Sequence, residues 1–257
     1  MGSKRELSRH LVDDLNLQPE RRPYGDHPSQ FVDIARPSGE SRGVILSLHG
    51  GYWRDRYGLD LHEPIVAHCT DLGWTVVNAE YRRIASGEPA VWQMMASDVH
   101  QGAMIARGIA GAAPLVSLGH SAGGHLALWV AAQREVAIDA VVALAPLTDL
   151  VAADQQLLSD GATRELFGVG SDDAPVLYEE ASPLHRLPLG VPQLIVHGSD
   201  DEHVPYEMVA DYVEAARSLG DDVSFVNRPD IGHFNVIDPT QPLWRDVDSF
   251  LEAQRPY

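Results

Sequence analysis

The sequence predicts one α/β domain over residues 1–257, built on a mostly parallel central sheet with helices on both faces. Short apolar runs alternate along the chain with segments of helical periodicity, which is the pattern of parallel β-α-β units. Hydrophobic residues make up 44% of the chain, which is enough to cover both faces of such a sheet. The alternation stops only between Ala145 and Pro192, where we expect a short irregular insertion.

The elements follow one another in a regular order. Continuous apolar runs predict strands at Phe31–Ala35, Val44–Leu48, Trp74–Ala79, Leu115–Leu118, Asp139–Leu144, Gln193–Val196 and Val223–Asn227. Apolar residues at helical spacing predict helices at Leu59–Leu72, Pro89–Ile109, Ala122–Gln133, Glu207–Leu219 and Pro242–Ala253. Gly73 and Gly220 end two of these helices, as glycine often does.

The segment from Ala145 to Pro192 has no clear periodicity and is interrupted by glycine and proline. A structureless loop of that length is unusual unless it is functional, so we interpret the segment as a small cap over the top of the sheet. The sequence leaves open whether this cap is a lid, a fixed wall or a dimer surface. The sequence also leaves open whether the protein forms a homodimer.

The charge of the chain argues against two classes of partner. Its 19 basic and 37 acidic residues give a net charge of −18, which disfavours binding to nucleic acid and to anionic membranes. Residues 1–17 lack the apolar region of a signal peptide, and no apolar run approaches the roughly 18 residues of a membrane span. We therefore expect a cytoplasmic protein. The single cysteine, Cys69, excludes an internal disulfide.

Residues 119–123 (GHSAG) contain the Gly-x-Ser-x-Gly pattern of a nucleophile on a sharp strand-to-helix turn. An apolar strand precedes this pattern and a helix rich in alanine and leucine follows it, as that turn requires. The flanking glycines leave room for the turn because they carry no Cβ. We therefore predict that Ser121 is a nucleophile; the alternative is a serine that caps a helix.

Residues 49–53 (HGGYW) directly follow a buried strand. Glycine lets backbone N–H groups turn towards a site without a side chain in the way, and acyl transfer needs such donors for its oxyanion. We predict an oxyanion hole formed by the N–H groups of Gly51, Tyr52 and Ala122. The side chains of Tyr52 and Trp53 could also line the substrate pocket.

Two downstream motifs supply an acid and a base in the order Ser, Asp, His that this type of site requires. Asp201 lies in HGSDDEHVP after an apolar strand, and His233 lies in GHF after the last predicted strand. His233 would take the serine proton and later protonate the leaving group, while Asp201 would fix its tautomer. Asp149, after the preceding strand, and Asp200 are alternative positions for the acid.

Other polar and aromatic residues are weaker candidates for the site. Arg82 and Arg83 follow a strand and could bind a substrate carboxylate, although a salt bridge is the more ordinary role for both. Phe234, next to His233, could line the substrate pocket. The 12 histidines include no His-Glu-x-x-His pattern, so we expect neither a metal nor another cofactor.

The motifs HGGYW, GHSAGGHLALW, HGSDDEHVP and GHFNVID occur in this order between residues 49 and 238. Together they resemble the α/β-hydrolase superfamily, and within it the small esterases close to kynurenine formamidase. The resemblance implies the α/β-hydrolase fold. It also implies a catalytic triad and an oxyanion hole made by Ser121, Asp201, His233, Gly51, Tyr52 and Ala122.

These observations predict hydrolysis of a carboxylic ester, or of an activated amide such as an aryl formamide, through an acyl-serine intermediate. A peptidase of the prolyl-oligopeptidase type and an acyltransferase are alternatives that use the same nucleophile. A non-catalytic binding protein on the same scaffold is a third alternative, but such proteins typically lose a member of the triad. The predicted partner is a small-molecule ester or amide.

Overall fold

The computed structural model describes residues 18–85 and 91–254. The strands are β1 (Glu20–Pro23), β2 (Phe31–Ala35), β3 (Val44–Leu48), β4 (Thr75–Ala79), β5 (Leu115–His120), β6 (Ala140–Leu144), β7 (Gln193–Gly198) and β8 (Val223–Arg228). The helices are α1 (Glu63–Asp71), α2 (Trp92–Ala110), α3 (Ala122–Ala131), α4 (Leu150–Gln155), α5 (Leu158–Phe167), α6 (Pro175–Ala181), α7 (Tyr206–Ser218) and α8 (Trp244–Ala253). The expected absence of a signal peptide and the predicted helix start at Pro89 concern residues outside these ranges.

The described strands form one sheet in the order β1-β2-β4-β3-β5-β6-β7-β8. The strands from β3 to β8 run parallel, whereas β2 is antiparallel to both β1 and β4. The mostly parallel sheet predicted from the sequence is therefore confirmed. Because parallel strands end at the same edge, the loops after β3, β5, β7 and β8 meet there, and these loops carry the predicted site residues.

Two hydrophobic clusters cover the two faces of the sheet. On one face α2, α3 and α7 contribute buried residues such as Val99, Leu126 and Val209. On the other face α1 and α8 contribute Ile65 and Leu251. The predicted arrangement with helices on both faces is confirmed, and it explains why strands β3 to β7 are buried along their whole length. None of the described helices has the length and apolar character needed to cross a membrane.

Strand β1 is not predicted by the sequence, because all four of its residues are polar or exposed. Pairing with β2 holds it at the edge of the sheet, together with two hydrogen bonds of 2.8 and 2.7 Å from the Arg21 guanidinium to the Asp33 carboxylate. Strand β5 continues two residues beyond its predicted end at Leu118. It therefore reaches His120, directly before Ser121.

The segment between Ala145 and Pro192 folds into α4, α5, α6 and a 3₁₀ turn at Pro183–Arg186. The start of α5 is a kink in which several residues adopt left-handed backbone angles: Leu157, Ser159, Asp160 and Gly161. Helices this short and kinked give no sustained periodicity, which is why the sequence showed only an irregular stretch. The segment packs onto the larger hydrophobic cluster through residues such as Leu166 and Tyr178.

Candidate active site

Ser121 lies at the turn between β5 and α3 with a backbone φ of 56° and ψ of −121°, which is strained for a residue with a side chain. Glycine is required on both sides of it. A Cβ on Gly119 would lie 2.0 Å from the carbonyl oxygen of Gly123, and one on Gly123 would lie 1.9 Å from that of Leu48. The Ser121 N–H donates to the carbonyl oxygen of Leu144 at 2.8 Å. This is the backbone geometry that presents a nucleophile above a sheet.

Asp201 and His233 form a hydrogen-bonded pair after β7 and β8. The Nδ1–H group of His233 donates to Asp201 Oδ2 at 2.7 Å. Asp201 Oδ1 accepts from the backbone N–H groups of His203 and Val204 at 2.8 and 2.9 Å. Burial alone would raise the pKa of Asp201, but His233 and these two N–H groups hold that pKa below its ordinary value. Asp201 is therefore a carboxylate that orients the His233 ring.

The two alternative positions for the acid have other surroundings. Asp149 Oδ1 accepts from the N–H groups of Val151 and Ala152, so this side chain caps the start of α4. Asp200 is exposed. Neither carboxylate is hydrogen-bonded to His233 among the described residues, so the geometry favours Asp201 as the acid.

Ser121 and His233 line the same cavity, which has a volume of about 280 Å³. Its other walls come from the loop after β3, from the start of α5 and from the loops after β7 and β8. They are formed by Gly51, Tyr52, Arg56, Tyr57, Leu61, His120, Leu158, Ser159, Glu202, His203 and Phe234. The cavity thus joins the predicted nucleophile and base to the loop that carries two of the predicted oxyanion donors.

The predicted oxyanion donors lie beside Ser121. Gly51 and Tyr52 have positive φ angles of 123° and 50°, so the chain turns sharply at the cavity wall. The preceding Gly50 packs against the serine, since a Cβ there would lie 3.0 Å from the Cβ of Ser121. Ala122 is the first residue of α3, so its N–H group has no partner within the helix. The structure brings these groups together, and their role as oxyanion donors stays a prediction.

A buried network holds the loop after β3 in place. The Tyr81 hydroxyl donates to the carbonyl oxygen of His49 at 2.6 Å, and the two rings stack with centroids 4.5 Å apart. His49 Nε2 lies 3.0 Å from Glu80 Oε1, and His49 Nδ1 lies 2.9 Å from the carbonyl oxygen of Gly50. Burial alone would raise the pKa of Glu80, but the contact with His49 lowers it. Glu80 and Tyr81, which directly follow β4, therefore support the turn that carries the predicted oxyanion donors.

His120 fixes the backbone of His233 from the other side. Because a carbonyl oxygen can only accept, His120 Nε2–H donates to the carbonyl oxygen of His233, at 2.9 Å. Burial, and then the proximity of His233, hold the pKa of His120 well below its ordinary value, so the ring is neutral at pH 7. The sequence carried no signal of this contact, which joins residues far apart along the chain.

Leu158 and Ser159, in the kink at the start of α5, form the wall of the cavity that the sequence could not predict. Arg54 ties this kink to the loop after β3. Its guanidinium donates to Ser159 Oγ and to the Ser159 carbonyl oxygen at 3.0 and 2.9 Å, and to Glu165 Oε2 at 2.8 Å. The part of the cavity wall formed by Leu158 and Ser159 is thus hydrogen-bonded to the loop that carries Gly51 and Tyr52.

Two residues predicted to line the pocket lie outside the cavity wall. Trp53 is 1% exposed, and its indole N–H donates to His125 Nδ1 at 3.3 Å, so it packs beneath the loop. Arg82 makes two hydrogen bonds of 2.7 Å to the buried carboxylate of Asp98, which occupy its guanidinium. Trp53 and Arg82, which we expected to line the substrate pocket, are therefore not among the residues that line the cavity with Ser121 and His233. Phe234 does line the cavity, as expected.

Arg56, Tyr57 and His203 are lining residues that sequence reasoning missed. His203 stands two residues after Asp201 in the same motif, which could have indicated it. Arg56 and Tyr57 follow HGGYW too closely for the direction of their side chains to be predicted, because the positive φ angles at Tyr52 and Trp53 set that direction. In the described part of the chain, no group of three or more His, Cys, Asp or Glu side chains could hold a metal ion.

Comparison with known proteins identifies related sequences. Residues 93–252 match the prolyl oligopeptidase family. Esterase LipC of Mycobacterium tuberculosis is 24% identical, in an alignment that covers 89% of this chain and 63% of that esterase. The chain therefore spans a little less than two thirds of the length of this relative.

Solved structures share the fold. A truncated carbohydrate esterase from gut microbiota superposes with a TM-score of 0.81 at 18% identity, over 92% of this chain and 94% of that one. A thermophilic esterase from the planctomycete Thermogutta terrifontis superposes with a TM-score of 0.73 at 20% identity, over 91% and 92% of the two chains. The α/β-hydrolase fold implied by the sequence motifs is thus confirmed.

Proposed function

This chain belongs to the prolyl oligopeptidase family, and from that premise we propose that it is a serine hydrolase of the esterase type. The proposed reaction is hydrolysis of a carboxylic ester, or of an activated amide such as an aryl formamide, through an acyl-serine intermediate. One observation carries the proposal. Ser121 and His233 line one cavity, and Asp201 Oδ2 accepts a hydrogen bond from Nδ1 of His233.

The hydrogen bond between His233 and Asp201 decides which nitrogen acts as the base. An ionised carboxylate can only accept, so the proton of a neutral His233 ring stays on Nδ1. His233 Nε2 is then an acceptor that takes the proton of Ser121 Oγ during attack on the substrate carbonyl. Asp201 stabilises the imidazolium that forms.

The negative oxygen of the tetrahedral intermediate would bind the N–H groups of Gly51, Tyr52 and Ala122. One well-placed donor of this kind contributes about 3 kcal/mol to stabilising the transition state. The N-terminus of α3 adds a positive partial charge next to Ser121. The strained turn at Ser121 and the network behind Gly51 hold these groups in place before substrate binds.

The second half of the reaction reverses the proton transfers. The His233 imidazolium protonates the leaving alcohol or amine, and the acyl group remains on Ser121. His233 then takes a proton from water, which attacks the acyl-serine; the His233 imidazolium returns this proton to Ser121 Oγ as the bond to the acyl group breaks and the acid is released. The proposed steps use side chains and backbone groups of this chain and call for no cofactor.

A comparison of substrates distinguishes a general carboxylesterase from an arylformamidase. We expect turnover of p-nitrophenyl acetate and butyrate with a higher kcat/KM than that of p-nitrophenyl octanoate, because the cavity of about 280 Å³ is at the small end for ligand sites. N-formylkynurenine, measured alongside, tests the formamide. A kcat/KM for it that exceeds those of the esters would assign arylformamidase activity.

An aminoacyl p-nitroanilide represents the third substrate class, because the prolyl oligopeptidase family is named for the cleavage of peptide bonds. Faster cleavage of this anilide than of every ester would favour the peptidase alternative. A folded protein that turns over none of the three substrate classes would contradict the proposed function.

A further inference from the structure

We propose that Arg56 binds a carboxylate of the substrate, so that the preferred substrates of this site are esters or amides that carry a negative charge. The inference rests on the proposed hydrolase function and names a class of substrate for the same cavity. Arg56 is the one arginine or lysine among the described residues that line the cavity with Ser121 and His233.

In the part of the chain that the structure describes, the guanidinium of Arg56 forms no ion pair. Nine other arginines in residues 18–85 and 91–254 form ion pairs with carboxylates: Arg21, Arg36, Arg42, Arg54, Arg82, Arg83, Arg107, Arg164 and Arg228. The Arg56 side chain forms no ion pair or hydrogen bond with residues 18–85 and 91–254, and its guanidinium carbon lies 5.1 Å from the centroid of the Tyr57 ring. The ring face holds the cation at the cavity without neutralising it.

Glu202 is the one carboxylate in the cavity wall, and it forms no recorded ion pair with Arg56 in the described part of the chain. Glu202 and Arg56 are both exposed, so water screens the attraction between their charges. The cavity therefore offers a planar cation with free donors, which suits bidentate binding of a carboxylate.

The net negative charge of the whole chain makes Arg56 important for binding an anionic substrate. A net charge of −18 repels an anionic substrate at long range, so such a substrate needs a local cation to bind near Ser121. A neutral ester needs none. Arg82, which the sequence offered for this task, is held by Asp98 outside the cavity, and this leaves Arg56 as the group with the required chemistry.

Two matched pairs of esters test the proposal on both sides of the scissile bond. The acyl side is tested with mono-p-nitrophenyl adipate against p-nitrophenyl hexanoate, and the leaving-group side with 4-acetoxybenzoate against 4-acetoxybenzamide. For at least one pair, we expect Arg56→Gln to lower the ratio of kcat/KM for the anionic ester to that for the neutral ester by about tenfold or more. The change should appear mainly in KM, and Arg56→Lys should restore part of the ratio.

Arg134→Gln is the matched control, because Arg134 is exposed, forms no ion pair among the described residues and lies outside the cavity wall. It removes the same charge and should leave both ratios unchanged. Ratios that Arg56→Gln leaves unchanged, or that Arg134→Gln lowers equally, would overturn the inference while leaving the hydrolase function standing. A wild-type protein that hydrolyses none of the four esters would overturn this inference, and it would overturn the hydrolase function as well if N-formylkynurenine and the aminoacyl p-nitroanilide also stay uncleaved.

Discussion

Replacing Ser121 with alanine is expected to lower kcat for ester hydrolysis by about 10⁴-fold or more. The hydroxyl oxygen of Ser121 is the protein atom that forms a covalent bond to the substrate in the proposed reaction. The oxyanion donors remain in the variant, so a small rate above that in water should persist. The measurement is steady-state turnover of p-nitrophenyl acetate at high protein concentration, with the melting temperature as the test of folding.

Ser117→Ala is the matched control for this prediction. Ser117 is a buried serine on β5, the strand that precedes Ser121, and its hydroxyl donates to the carbonyl oxygen of Ala127 at 3.0 Å. Its loss should reduce the free energy of unfolding by about 1 kcal/mol and leave kcat nearly unchanged. If Ser121→Ala kept more than about a thousandth of the wild-type kcat, Ser121 would not be the nucleophile.

The Asp201→Asn variant is expected to lose about 10⁴-fold in kcat with little change in structure. An asparagine can keep the two bonds that Asp201 Oδ1 accepts from His203 and Val204, but its NH₂ group then faces His233. His233 Nδ1 must become the acceptor, so the ring proton moves to Nε2. That nitrogen can then no longer take the proton of Ser121.

Asp149→Asn, measured beside it, is the control, because asparagine caps a helix about as well as aspartate does. Collapse of activity in Asp149→Asn with retention in Asp201→Asn would show that the acid was misassigned.

The pH dependence of the free energy of unfolding is a second test of the role of Asp201. Since the pKa of Asp201 is lower in the folded protein, its charge stabilises the fold above the unfolded pKa of about 3.9 and loses this effect as pH falls further.

The elements of the fold that sequence patterns predicted are those with a strong local signal. Strands β3 to β7 are buried along their whole length, and the helices packed on the sheet keep apolar residues at helical spacing, so composition and period alone locate them. The turn at Ser121 is equally local, because its two glycines are required by contacts within a few residues and with the neighbouring strand. The predicted triad residues each lie next to a recognisable strand end.

The features that the sequence could not predict depend on contacts between distant parts of the chain. In the sequence, Arg82 has no evident partner, whereas in the fold its guanidinium donates to the buried carboxylate of Asp98 in α2. The bond from His120 to the backbone of His233 joins two loops that only the closed sheet brings together. The position of Leu158 in the cavity wall depends on the left-handed backbone angles of the residues around it, which no sequence pattern predicts.

The assignment of Ser121 as the nucleophile is tested most directly by covalent labelling with a fluorophosphonate, followed by intact mass measurement and peptide mapping. We predict one adduct per chain, located on the peptide that contains Ser121, no adduct in Ser121→Ala, and labelling slowed by orders of magnitude in Asp201→Asn. An adduct on another residue, or labelling of Ser121→Ala at the wild-type rate, would contradict the proposed acyl-serine mechanism.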